Sequence, residues 1–287
     1  MPGYSVAMKN IIAIVLFAAM LHAQSLHQPF LPGISMCNQG TVFSDKSGGG
    51  LEAWTPAAYS SNSVKWALSF ATVNFYDPMD NLDGSYIYQV SSGVFLRIAS
   101  MQVKFSASLL NAVSTYFEQS LYVSAGYSVS KRARLSIECR GYRYGIYNWR
   151  DDRRYVAETG CTGLLNFQKI SATVQLEHIV LYGDKKSKEN NPEFSISGGI
   201  HTKRNRFGAQ GFILSYTPAS AKPLQYRIGE EVFIFDWLGI HVALANNPLL
   251  VSFGLSVDFI NPVAAFAMVN HEKLGWSEGV YLGLRGD

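Results

Sequence analysis

From residue 64 onward, apolar and small polar residues alternate in long runs, a period of two that sends successive side chains to opposite faces of a β-strand. In the clearest run, Phe117, Gln119, Leu121, Val123, Ala125, Tyr127 and Val129 take one face. Glu118, Ser120, Tyr122, Ser124, Gly126 and Ser128 take the other. The contrast recurs at 101–110, 169–177 and 249–259. Such runs predict fourteen strands, near 64–76, 92–99, 101–110, 117–129, 133–145, 155–166, 169–181, 193–202, 205–216, 223–233, 238–245, 249–259, 263–269 and 277–285. A helical period is confined to 53–63.

A soluble sandwich also alternates, so the polar face has to discriminate. On a water-washed sheet that face carries Lys, Glu and Asp. Here it is mostly Ser, Thr, Gly, Gln and Tyr, and the chain is 16% charged, against about 25% in an average soluble domain. Most predicted strands run to about 9–13 residues, which matches the ~9–11 tilted residues that cross a bilayer. Soluble strands average about 5–6. Mean hydropathy is +0.05, too low for a bundle of membrane helices. In hydrocarbon, strands satisfy their backbone polar groups only when the sheet closes. The implied fold class is all-β, a closed antiparallel transmembrane β-barrel of about 14 strands.

The connections supply an independent check, because outer-membrane barrels have long loops at one rim and tight turns at the other. The stretches 77–91, 111–116, 146–154 and 182–192 are long, while those around Ser100, 130–132, Phe167-Gln168 and 202–205 are short. The short turns are then periplasmic. Aromatics near strand ends, among them Trp66, Phe117, Tyr155, Tyr182, Tyr216, Trp237, Trp276 and Tyr281, fit interfacial girdles. At the front, Lys9, the apolar run Ile11 to Leu21 and the small Ala23 read as a signal peptide over 1–23. The expected location is the bacterial outer membrane, reached through a cleaved signal peptide, with membrane lipid as the first partner. A net charge of +3 with scattered basic residues excludes a nucleic-acid surface.

Parity sends Arg97, Lys104, Glu118, Arg134, Glu138, Arg140, Glu177, Arg227, Glu231 and Asp258 inward. They are candidates for a polar lumen network, which either stiffens the barrel or shapes a solute pathway. Cys139 and Cys161 share the apolar parity and lie equidistant from residue 150, so they form a candidate cross-strand thiol pair. An oxidising periplasm permits a bond, while direct cross-strand geometry disfavours one. His201 and His241 share the inward parity. A hydrolase would require one of them to converge with a serine. The sequence supplies no nucleophile elbow, HExxH or phosphate-binding glycine loop. The expectation is a protein without catalytic residues, metal or cofactor.

One family resemblance follows. Tyr226-Arg227-Ile228-Gly229-Glu230-Glu231, Leu238-Gly239-Ile240-His241-Val242 and Val251-Ser252-Phe253-Gly254-Leu255 are similar to the closing strands of the PorV/PorQ family of FadL-like outer-membrane barrels. The stretch from Ala264 to Ser277, with His271, Leu274, Gly275 and Trp276, resembles that family's final hairpin. Thr55, Pro56, Ala57 and Ala58 resemble its Asn-Pro-Ala-Gly plug element, with Thr55 and Ala58 replacing the usual Asn and Gly. The resemblance implies a plug-like segment over 24–63 and a barrel over 64–287. It also implies a role in protein secretion or surface attachment across the outer membrane, with secreted or secretion-machinery proteins as partners. The alternative is FadL-like transport of small hydrophobic compounds. An apolar lumen cavity favours transport, and a lumen filled by charges and plug favours a scaffold.

Overall fold

The computed structural model describes residue 57 and residues 64–286, apart from 76–86, 113–115, 147–153, 184–193, 203–207, 219–222, 247–248, 259–261 and 272–274. The expected signal peptide, Cys37, Thr55, Pro56, Ala58, Leu274 and the tips of the long loops lie outside the described residues.

Fourteen antiparallel strands form a closed barrel: β1 (Trp66–Phe75), β2 (Ile87–Ile98), β3 (Met101–Ala112), β4 (Tyr116–Ser128), β5 (Ala133–Ile146), β6 (Arg154–Asn166), β7 (Ile170–Gly183), β8 (Ser195–Thr202), β9 (Ala209–Tyr216), β10 (Leu224–Phe235), β11 (Leu238–Ala245), β12 (Leu250–Asp258), β13 (Pro262–His271) and β14 (Gly275–Gly286). Each strand pairs with its sequence neighbours, and β1 closes on β14 from Trp66↔Gly286 to Phe75↔Ser277. Every predicted strand is present. The largest boundary difference is β2, which begins at Ile87 rather than 92. Its Ser91-Ser92-Gly93 centre has weak strand propensity, and pairing with β1 and β3 overrides it.

The two faces follow the alternation. Outward side chains are apolar and exposed, as at Leu121 (66%), Ile137 (65%) and Val174 (64%) in mid-strand. In the described strands the outward parity carries charge at Arg143, Glu230 and Glu278. Trp66, Phe235 and Trp237 mark the short-turn rim, and Tyr155, Tyr182, Tyr216 and Trp276 the opposite one; all are exposed. Two aromatics depart from the girdle expectation. Tyr281 has inward parity and joins Val64, Ala67, Ala71, Phe95, Val263 and Ala265 in an apolar cluster behind the β1–β14 seam. Phe117 keeps outward parity but is buried, with the Arg143 guanidinium 5.6 Å from its ring centre.

The wall β2–β7 has strands of 12–14 residues, whereas β8, β9 and β11 have eight each. Within the long wall β7 carries a bulge at His178, whose φ is 60°. The opposing residue is Gly160, where an added Cβ would lie 2.7 Å from the Leu176 carbonyl oxygen. A side chain there would collide with the bulged backbone, so glycine is required at that point.

Candidate functional site

The inward face is polar and packed. Lys104, Gln102, Ser124, Glu138, Glu231 and His241 are all buried despite facing the lumen. On the β2–β4 wall, Arg97 and Lys104 both stand over the Phe95 ring, with their charges 5.9 Å from its centre. Ala57 sits against this wall, fully buried. Its backbone N–H donates to Ser124 Oγ at 2.8 Å. With the Gln102 amide oriented to satisfy its neighbours, Nε2 donates to the Ala57 carbonyl at 2.6 Å and Oε1 accepts from Arg97 Nη2 at 2.9 Å. Side chains of two neighbouring strands, β3 and β4, therefore hold one backbone unit of the N-terminal segment inside the barrel.

A second group lies on β5–β7. Glu138 accepts from Thr162 Oγ1 at 2.7 Å and from Ser136 Oγ at 3.2 Å. Arg140 stacks over Tyr122, 5.0 Å from the ring centre, and reaches Glu177 at 3.8 Å. The bulge next to Glu177 turns His178 inward as well, where its Nδ1 is 2.9 Å from Glu158 Oε2. Re-aiming a side chain is the usual consequence of one extra residue in a strand. Glu158 and His178 were not among the residues parity singled out. Glu158 is on the inward parity, so it was open to that reasoning. His178 was not, because the bulge inverts parity without a sequence signal.

The remaining inward charges are spread around the barrel. Arg134 is buried on β5 and Glu118 half-buried on β4. Arg227 and Glu231 stand on β10, on the other wall. Asp258 accepts from Arg285 Nη2 at 2.5 Å, which gives the Arg285-Gly286-Asp287 terminus a structural role in its first residue. The network is thus several local clusters, and Arg227 on β10 stands close enough to Glu177 on β7 for the two opposite charges to attract across the lumen.

Among the inward histidines, His241 stands against a serine hydroxyl. Its Nε2 is 2.6 Å from Ser256 Oγ, and its Nδ1 is 3.7 Å from Glu231 Oε1. A serine, a histidine and a carboxylate in series are the components of a nucleophilic triad, although 3.7 Å exceeds hydrogen-bonding distance. All three side chains are sealed: Glu231 and His241 are 2% exposed and Ser256 5%. His201 is buried on β8.

The thiols differ from expectation. The β5–β6 register places Cys139 opposite Thr159 and Cys161 opposite Ile137, so the two are diagonal and both are free. The hairpin centre lies one position before residue 150, which is enough to separate them. The final hairpin pairs His271 with Gly275 and Asn270 with Trp276.

No family model and no curated protein matches the chain. Solved structures do. The deltaS2S3 mutant of TodX, described as a monoaromatic hydrocarbon channel, aligns over 88% of this chain and 96% of its own at 8% identity, with a TM-score of 0.57. The outer membrane protein Omp33 of Acinetobacter baumannii aligns over 78% of this chain and 98% of its own at 9% identity, with a TM-score of 0.49. The TodX alignment establishes that this chain has the fold of outer-membrane β-barrels.

Proposed function

We propose that this chain is a non-enzymatic barrel of the bacterial outer membrane, of PorV/PorQ type, with a closed lumen. Its role is a membrane-embedded platform for secreting proteins or attaching them at the surface, and its long-loop rim is the contact surface. The apolar outward band between two aromatic rims supports the membrane location, since such an area is stable against lipid and not against water. The observation that carries the closed lumen is the pair of hydrogen bonds on the Ala57 backbone, its N–H donating to Ser124 and its carbonyl accepting from Gln102, beside buried lumen charge. A solute pathway needs solvent-facing lumen groups, and Lys104, Glu138, Glu231 and His241 are instead buried among their neighbours.

Purified protein in planar bilayers is expected to give no steady conductance steps, and pull-down from native outer membranes is expected to bring down a secreted or secretion-machinery protein. Stable open-channel steps without a co-purifying protein would overturn the proposal. A second reading is transport of small hydrophobic compounds, favoured by the apolar cluster behind the β1–β14 seam and by the fold shared with a hydrocarbon channel. Accelerated toluene entry into vesicles containing the barrel would select that reading.

A further inference from the structure

The outer surface of the long wall is not smooth. A groove of about 820 Å³ runs across β2–β6. Its lining takes outward residues from two neighbouring rows of the ladder, while inward residues of the same strands contribute only the row between them. The groove is therefore on the outside of the barrel. Its floor is a continuous ladder row of Ser92, Ala107, Leu121, Gly141 and Ala157, in which four of the five side chains are small or absent. An added Cβ at Gly141 would meet nothing within 4 Å. Five strands span about 19 Å from first to last at ~4.8 Å per step, which suits a lipid chain lying across them.

On the long-loop side of the groove, in the row next to its floor, stands Arg143, the outward cation of the described strands. It is three residues from the end of β5 at Ile146. The guanidinium is held between Phe117 and Tyr155, 5.6 and 6.0 Å from their ring centres, and Nη1 donates to Gln119 Oε1 at 3.4 Å. Its Nε is buried without a partner, and among the described residues no carboxylate pairs with it. A cation on a face that meets hydrocarbon is costly unless an anion shares its depth. Tyr155 and Tyr182 beside it mark the level at which lipid headgroups begin.

We propose that this groove binds a phosphate-bearing membrane lipid, with its acyl chain along the Ser92 to Ala157 row and its phosphate on Arg143. Charge complementarity selects the occupant: a guanidinium presents paired donors that match phosphate oxygens. The proposal rests on the outward face meeting lipid, and not on the lumen being closed, so a conducting barrel would leave it standing.

The test is native mass spectrometry of the full chain, refolded in detergent and titrated with dioleoylphosphatidylglycerol or with dioleoylglycerol, which lacks the phosphate. The wild-type protein is expected to retain one phosphatidylglycerol and to discriminate against dioleoylglycerol. Arg143→Gln is expected to weaken retention roughly tenfold, the factor that ~1.4 kcal/mol represents. Gly141→Leu fills the floor and is expected to do the same without altering the heat-sensitive mobility of the folded barrel. Gly198→Leu is the matched control, since Gly198 is another outward glycine with nothing within 4 Å, on β8. Equal retention by wild type, Arg143→Gln and Gly141→Leu would overturn the proposal, as would an equal loss in Gly198→Leu. A groove-dependent dimer that binds no lipid would also overturn it and assign the face to a second copy.

Discussion

At the scale of single residues, parity decides which environment a side chain meets, and the two thiols show how far parity reaches. The outward faces of Cys139 and Cys161 were legible in the alternation, but their pairing was not, because it depends on which residue sits at the hairpin centre. Their outward, exposed positions give a direct depth measurement. Spin labels on either thiol in vesicles are expected to be broadened by dissolved oxygen and shielded from a water-soluble nickel complex. Shielding from oxygen with access to nickel would remove the membrane assignment. Gly160 gives the matching stability prediction. With its Cβ position 2.7 Å from the Leu176 carbonyl, Gly160→Val is expected to lower unfolding free energy by about 1–3 kcal/mol, read as a shift in urea midpoint. Gly163→Ala, with its nearest heavy atom at 3.6 Å, is expected to change it little.

At the scale of elements, strand number and order were legible because each strand must alternate to face two solvents. The exceptions have local causes. The front of β2 was hidden by serines and a glycine that pack well only once neighbours are present. The bulge in β7 was hidden because nothing in Gln175-Leu176-Glu177-His178-Ile179 signals an extra residue. That bulge is why Arg140–Glu177 and Glu158–His178 form side by side. Arg285 shares the odd-numbered parity of Tyr281, which places it inward, but its partner Asp258 lies two strands away and was not legible from parity. Ser256 meeting His241 also needed the register: Ser256 pairs with Gly239 on β11, and the absence of a side chain at Gly239 leaves room for the histidine to reach across.

At the scale of the whole molecule, the low charge and neutral hydropathy of the sequence are two averages over faces that never mix. A chain so divided was legible as a barrel. What fills the barrel was less so, because the lumen is built from contacts between strands far apart in sequence, and the apolar cluster behind the seam joins residues 64 to 281. Closure makes a prediction at this scale. Removing 275–287 takes away β14 and leaves β1 and β13 as open edges. The truncated chain is expected to lose the heat-sensitive mobility of a folded barrel in electrophoresis. Its retention would mean that β1 can pair with β13.

The seam also sets an order in time. Trp66 and Gly286 are neighbours in the ladder although about 220 residues separate them along the chain. No earlier contact substitutes for that one. While the chain is being delivered, its first strand waits with half its hydrogen-bonding groups unmet, and the wait ends when the last strand arrives. Assembly is therefore committed at its final step, and a protein that guards the edge of β1 during that interval would govern how much barrel is made.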